Sequence, residues 1–100
     1  MSLEDVTQQI KQKIAAAPGL TARVKFDFGD DGLVFVDTTR TPPVVSHDDL
    51  ESDATLICSI DTFQGMLAGT QDPGIAFMMG KLKVQGSMGL AMKLNSILED

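Results

Sequence analysis

The sequence has few of the residues from which disulfide frameworks, metal sites and active sites are built. Its 100 residues include one cysteine, Cys58, and one histidine, His47. A lone cysteine excludes an internal disulfide and is typical of a reducing compartment. A metal site with two His or Cys ligands would need both residues together with carboxylates, which is a weak signal. We therefore expect neither a metal nor a cofactor.

Basic residues and long apolar runs are also scarce. Eight Lys and Arg against fourteen Asp and Glu give a net charge of −6 and a pI near 4.5. Nucleic-acid binding is not expected, because it rests on neutralisation of phosphates by Lys and Arg. There is no apolar run of about eighteen residues and no charged-then-apolar leader. We therefore expect neither a membrane span nor secretion, and we expect a cytoplasmic location.

The candidates for catalysis lie in patterns that favour other roles. His47 follows no motif that positions a nucleophile, so we interpret it as a solvated loop or capping residue. Cys58 alternates with Leu56 and Ile60 on an apolar strand face, where a thiol usually acts as a small hydrophobe. Acidic pairs such as Asp30-Asp31 lack the full spacing of a calcium loop and are interpreted as solvated surface. No catalytic residue is therefore predicted.

Apolar periodicity predicts the order of helices and strands. Leu3, Val6, Ile10, Ile14 and Ala17 recur at helical spacing, and Pro18-Gly19 ends this helix. Alternation predicts strands at 22–28, 54–60 and 81–85, and an unbroken apolar run predicts one at 33–37, with a hairpin turn at 29–32 between the first two strands. Capping patterns predict short helices over 61–69, capped by Asp61, and over 73–79, capped by Asp72, and a final helix after Ser87.

This order is typical of a single α+β domain over residues 1–100, with a small, largely antiparallel sheet and helices over one face. The unbroken apolar run of the second strand, 33–37, suggests that both of its faces are covered. The stretch 38–51 has no sustained period and is predicted to be a connection. The last strand follows a helical crossover, which allows a parallel partner in an otherwise antiparallel sheet.

Methionine is concentrated in the C-terminal third. Five of the six methionines lie between Met66 and Met92. Methionine suits a surface that packs against variable ligands, and it also fills gaps in small cores. On the final helix, one apolar arc through Ala91 and Leu94 is enough to seat the helix on a sheet, while Met88 and Met92 form a second arc. That second arc needs either a covering element or an apolar ligand.

The same region has an excess of positive charge. Between Pro73 and Leu98 there are Lys81, Lys83 and Lys93 and no acidic residue. One interpretation is the wet face of an edge strand, where lysines discourage unwanted pairing. The other is a positive rim that meets an anionic head group or a membrane surface.

Residues 76–94, Ala-Phe-Met-Met-Gly-Lys-Leu-Lys-Val-Gln-Gly-Ser-Met-Gly-Leu-Ala-Met-Lys-Leu, resemble the C-terminal signature of the sterol carrier protein type 2 lipid-binding domain. Members of that family carry a Gly-Lys-Leu-Lys strand, a Gly-polar-Met cap and a Leu-Ala-Met-Lys-Leu helix in this order. The upstream hairpin, third strand and following helix are similar in order and spacing, so the resemblance covers almost the whole chain. The Ser-Lys-Leu peroxisomal address of some members is absent, and we expect a free-standing domain.

The resemblance implies a five-stranded sheet covered by helices that enclose an apolar tunnel, and hence one further strand near Val44 and Val45. It implies non-covalent binding of fatty acids, acyl-CoA, sterols or other lipids rather than catalysis. The head-group rim would be Lys81, Lys83 and Lys93. The implied tunnel-lining residues lie on three helices and are Phe63, Met66, Leu67, Phe77, Met78, Met88, Leu90, Met92, Leu94 and Leu98.

Two hypotheses for function follow. The first is a lipid carrier whose partner is a lipid or acyl-CoA, with transient contacts to a membrane surface or a protein, no nucleic acid and an oligomeric state left open. The alternative is an accessory module that docks on a lipid-modifying or isoprenoid-quinone-synthesising enzyme, since a helix-in-groove interface needs the same exposed apolar arc. An enzyme in its own right is a distant third. The sequence leaves open whether the Met-rich residues line a tunnel or pack a closed core.

Overall fold

Five strands in one sheet and four α-helices make up the part of the chain that the computed structural model describes, residues 3–16, 21–40 and 42–99 with side chains through Ile97. The predicted helix end at Ala17 and Pro18-Gly19 lies outside the described residues. In chain order the elements are α1 (Leu3–Ala15), β1 (Arg23–Asp27), β2 (Leu33–Asp37), β3 (Val44–Ser46), β4 (Ala54–Ile57), α2 (Ile60–Ala68), α3 (Pro73–Met78), β5 (Lys83–Gly86) and α4 (Met88–Glu99).

The sheet is mainly antiparallel, as predicted. Its strand order is β3-β2-β1-β4-β5, and the hairpin of β1 and β2 forms around a short 3-10 turn at Gly29–Asp31. Gly29 and Gly32 both take a positive φ in this turn, a conformation that suits glycine. Only β1 and β4 are parallel; the other neighbouring strands are antiparallel.

The position of the parallel pair differs from the expected one. The last strand, β5, is antiparallel to β4, with Val84 opposite Leu56. The helices α2 and α3 therefore act as a wide hairpin connection rather than as a crossover. The crossover is made earlier, where residues 47–53 carry the chain from β3 at one edge past β2 and β1 to β4, on the far side of β1. This long connection lets β4 run in the same direction as β1.

Part of the predicted 38–51 connection is a strand, β3. Val45 lies opposite Val36 and is partly buried against the core, whereas Val44 is exposed. A strand of three residues is too short to show an alternating pattern, which is why periodicity misses it. The strand implied near Val44 and Val45 by the family resemblance is confirmed.

The sheet face away from the helices is covered by the connection 47–53. Lys25, Phe35 and Thr55 share this face by register. The Lys25 ammonium lies 2.5 Å from the Asp49 carboxylate, and the Thr55 and Ser52 hydroxyls lie 3.0 Å apart. Phe35 is only 4% exposed, so both faces of β2 are covered, as its unbroken apolar run predicts.

The core lies between the other sheet face and α1, α2 and α4. Phe63 of α2 is fully buried at its centre and makes edge-to-face contacts with Phe26 and Phe28, with ring centroids 5.4 and 5.2 Å apart. Such aromatic pairs stabilise a core beyond the area they bury. The inward residues of the other elements include Val6, Ile10, Val24, Val34, Val36, Leu56, Ala91 and Leu94.

Side chains cap the C-terminal helices. Asp72 accepts hydrogen bonds from the backbone N–H groups of Gly74 and Ile75, and Ser87 accepts one from Leu90, so both predicted caps are confirmed. The predicted cap at Asp61 is wrong. Ser59 fills that position by accepting from the Thr62 N–H at 3.0 Å, because the helix begins at Ile60, whose side chain is buried.

Candidate functional site

The predicted tunnel-lining residues fall into two groups, one inside the core and one on the surface. Phe63, Met66 and Leu94 are at most 2% exposed, and Leu67 and Leu90 are partly buried against the same core. These five therefore pack in the core between the helices and the sheet. Ligand contact at these positions remains a prediction.

The second group is on the surface. Phe77 and Met78 lie on α3, and Met88 and Met92 lie one turn apart on α4; Met78 is 84% exposed and Met92 67% exposed. The apolar arc of α4 that was predicted to pack on the sheet is buried at Ala91 and Leu94. The second arc, formed by Met88 and Met92, is not needed for this packing, as its pattern suggested. The side chain of Leu98 lies outside the described residues. The described members of the predicted set are thus divided between the core and the surface of α3 and α4, and ligand contact at the surface positions likewise remains a prediction.

The predicted lysine rim lies next to an edge of the sheet. Lys81 and Lys83 are exposed, and β5, which carries Lys83, is the edge strand opposite β3. Lys93 is exposed on α4 and has an interaction partner. Lys83 fits the interpretation of an edge strand kept from further pairing, and Lys81 follows the turn that ends α3.

A groove that the sequence did not predict opens at the other edge of the sheet. It has a volume of about 520 Å³ and lies between the last turns of α1 and the start of β3. Lys11, Ile14 and Ala15 line one side, and Pro43, Val44 and Val45 line the other. The available signal was the pair of valines after two prolines, but without β3 as a strand nothing placed them opposite α1.

The lining of the groove favours an apolar ligand with one anionic group. The side chains that line the groove are apolar except that of Lys11, an exposed residue of α1. The volume falls within the range of about 300–1,000 Å³ that is usual for small-molecule sites. No member of the predicted lining set is among the described residues that form this groove. The arrangement can hold a hydrocarbon chain and pair its charged end.

The candidates for catalysis are placed in structural roles. Burial raises the pKa of the Cys58 thiol to about 12, so it is protonated near neutral pH and is a poor nucleophile. His47 is hydrogen-bonded to Thr7 of α1. Among the described residues, no group of three His, Cys, Asp or Glu side chains is placed to hold a metal ion. In the same part of the chain, the helices are too short or too polar to cross a bilayer.

A comparison with protein families identifies the domain. The model of the SCP-2 sterol transfer family matches residues 3–99. The chain belongs to this family. The sterol carrier protein resemblance of residues 76–94 is therefore confirmed over nearly the whole chain, and membership places the protein among lipid-binding domains.

Curated relatives of the family are much longer than this chain. Sterol carrier protein 2 of Bos taurus is 33% identical over 98 residues, which cover 95% of this chain and 18% of that protein. Hydroxysteroid dehydrogenase-like protein 2 of Xenopus laevis is 39% identical over 71 residues, which cover 69% of this chain and 17% of that protein. The chain thus spans less than a fifth of the length of these two relatives.

Solved structures of the family share the fold. Apo sterol carrier protein 2 from Yarrowia lipolytica superposes with a TM-score of 0.68 at 25% identity, over 95% of this chain and 77% of that chain. Palmitated SCP2L2 from Aedes aegypti has a TM-score of 0.70 at 20% identity, over 100% of this chain and 96% of that chain. UbiJ-SCP2, a ubiquinone synthesis protein, has a TM-score of 0.67 at 15% identity, over 99% and 93% of the two chains.

Proposed function

We propose that this protein binds a lipid with a long acyl chain non-covalently and carries it, with the acyl chain in the groove between α1 and β3. The observation that carries the proposal is the apolar lining of this groove, joined to one lysine, in a domain of a lipid-binding family. Binding of this kind needs no catalytic group.

The energetics of the groove favour a fatty acid or a fatty acyl-CoA. Each methylene that leaves water contributes about 0.8 kcal/mol, so a partly covered chain binds usefully even in an open groove. Lys11 lines the groove, and its ammonium can pair with a carboxylate or phosphate at the end of the chain. The palmitated state of the Aedes aegypti structure supports a ligand of this class. A sterol-like ligand would bury a similar apolar area without using Lys11.

The predicted lining of α2, α3 and α4 gives a second location for the same ligand. Its lysine rim at the β5 edge is four strand spacings from β3, which is roughly 19 Å. A head group bound at Lys11 therefore does not reach Lys81 or Lys83 directly. If the rim holds the head group instead, exchanging Lys81, Lys83 or Lys93 for Glu weakens acyl-CoA binding more than binding of an uncharged lipid.

The direct test of carriage is the mass of what the protein holds. We expect native mass spectrometry of the purified protein to reveal a co-purifying species, and an organic extract to identify a fatty acid or related lipid. Titration with a fluorescent fatty acid and its acyl-CoA should then saturate and raise the melting temperature, because a ligand that binds only the folded state stabilises it. An empty protein with no saturable binding of either probe contradicts the proposal.

An accessory role on a partner enzyme is the second candidate, and the exposed Met88 and Met92 favour it. These side chains lie one turn apart on α4, the spacing with which a helix engages a groove on another protein. The fold likeness to the ubiquinone synthesis protein UbiJ-SCP2 suggests a quinone-synthesising or other lipid-modifying enzyme as the partner. A purified protein that is empty and aggregates until such an enzyme is added supports this candidate against carriage.

A further inference from the structure

Four large apolar side chains project into solvent around the end of α3. Ile75, Phe77, Met78 and Met79, which we call the α3 tip, are each about half exposed or more, with Met78 at 84%. Only Pro73 and Ala76 of this helix face the core. The Ala76 carbonyl accepts hydrogen bonds from the N–H groups of Lys81 and Leu82, which turns the chain sharply after the helix. The tip is therefore held on a rigid turn.

The shape of the tip favours a flat, deformable surface over a groove on a protein. The helix has six residues and therefore fewer than two turns. A groove on a protein binds apolar side chains of a helix spaced from i to i+7, which is more than this helix offers. The exposed side chains instead cluster over residues 75–79 at the end of the helix. A compact cluster of this kind can enter the boundary between head groups and acyl chains, where Phe and Met side chains leave water.

The charge around the tip favours an anionic partner. Lys81 and Lys83 follow directly and are exposed, while the stretch 73–98 contains no acidic residue in a chain of net charge −6. The nearest acid along the chain, Asp72, is engaged in capping α3 through the Gly74 and Ile75 N–H groups. An anionic surface repels the acidic remainder of the protein and attracts this end, which orients the tip toward it.

We propose that the α3 tip docks on the surface of a bilayer that contains anionic lipid. Phe77, Met78 and Met79 enter the interface, and Lys81 and Lys83 contact the head groups. This goes beyond binding of a lipid, because it assigns the surface through which the protein meets a membrane. The groove lies at the β3 edge and α3 leads into β5 at the opposite edge, so docking leaves the groove open.

The test is co-sedimentation of the protein with vesicles of phosphatidylcholine alone or of phosphatidylcholine with about 30 mol% of the anionic lipid phosphatidylglycerol. The variants are Met78→Ser/Met79→Ser and Lys81→Glu/Lys83→Glu. The matched control is Met88→Ser/Met92→Ser, which removes two exposed methionines from α4. Since all these side chains are exposed, circular dichroism and melting temperature should show that every variant folds. Binding of a soluble fluorescent fatty acid is measured in parallel.

We expect the wild type to bind the anionic vesicles and to release them as salt is raised, with weak binding to phosphatidylcholine alone. Each of the two tip variants should lower the partition coefficient by at least about tenfold, while the α4 control stays within about twofold of the wild type. None of the substituted residues lines the groove between α1 and β3, so fatty-acid binding in that groove should be unchanged in all three variants, which separates vesicle docking from ligand binding. Absence of binding to anionic vesicles, or an equal loss in the α4 control, overturns the proposal. If the wild type does not bind the fluorescent fatty acid, the lipid-carrier function is overturned instead.

Discussion

Thr7 Oγ1 and His47 Nε2 lie 3.0 Å apart and join α1 to the segment that follows β3. The Thr7 hydroxyl donates its proton to the Leu3 carbonyl at 2.7 Å, so its oxygen must accept from His47. His47 Nε2 therefore carries a proton in this arrangement. The bond lies between the two elements that line the groove. His47 is exposed in the loop after β3, in line with the solvated loop expected from the sequence, and the bond adds a contact with α1.

Removing this bond should loosen α1 from β3. Exchange of His47 for Ala leaves the buried Thr7 oxygen without its donor, and we expect a loss of about 1 kcal/mol in the free energy of unfolding. That corresponds to a melting temperature lower by about 4–8 °C in a domain of this size. Urea unfolding of His47→Ala beside Asp48→Ala, an exposed neighbour, measures it. Equal stability of the two variants would contradict the bonding scheme.

Phe63 and Phe77 offer a matched test of which aromatic side chains form the core. Phe63 is fully buried against Phe26 and Phe28, whereas Phe77 is half exposed on α3. Exchange of Phe63 for Ala should cost about 3–5 kcal/mol of unfolding free energy, because it leaves a cavity. The same exchange at Phe77 should cost less than about 1 kcal/mol. Similar losses at the two positions in chemical denaturation would mean that the helices pack differently.

Cys58 should be chemically silent in the folded protein. Burial holds the pKa of its thiol at about 12, so almost no thiolate is present at pH 8. A disulfide reagent such as dithionitrobenzoate should therefore modify the unfolded protein in urea rapidly and the native protein only at the rate of unfolding. Fast stoichiometric modification of the native protein would disprove this environment for the thiol.

Asp37 should make stability depend on pH in the acid range. The Thr39 hydroxyl donates to the Asp37 carboxylate, and this bond, more than the Thr39 N–H and the Arg40 guanidinium, lowers the pKa of the carboxyl below 3.8. A lowered folded pKa contributes stability that is present above the unfolded pKa and is lost as pH falls through the folded value.

Asp37→Asn lacks this titration. The stability advantage of the wild type over Asp37→Asn should be constant above about pH 5 and should shrink as pH falls below 3.8. Denaturant melts of both proteins across this range measure the difference, with Asp30→Asn in the exposed turn as the control. An advantage that stays constant down to pH 2, well below the usual carboxyl pKa, would contradict the role of the Thr39 bond.

Much of the fold follows from local patterns. The alternation of Val24 and Phe26 with polar neighbours, the glycines of the β1–β2 turn and the caps at Asp72 and Ser87 each act over a few residues, so sequence predicts them. The strand β3 and the parallel pairing of β1 with β4 depend on partners that are distant in the chain. No local pattern encodes those pairings.

The site was harder to predict because exposure is a property of the packed molecule. Helical periodicity separates Met88 and Met92 from the buried arc of α4, but it does not tell whether a ligand, a protein or water covers them. The groove depends on Ile14 and Val44 meeting across about 30 residues of chain. Since β3 has too few residues to be recognised by period, that meeting was outside the reach of sequence patterns.

The central claim, that the groove between α1 and β3 holds an acyl chain, is tested most directly by titrating a fluorescent fatty acid into the wild type and two tryptophan variants. Val44→Trp fills the groove from an exposed position on an edge strand, and Met92→Trp adds the same ring to an exposed position on α4. We predict saturable binding to the wild type and to Met92→Trp, and binding weaker by at least about tenfold in Val44→Trp. Unchanged binding in Val44→Trp together with loss in Met92→Trp would contradict the claim and place the ligand among the Met-rich helices.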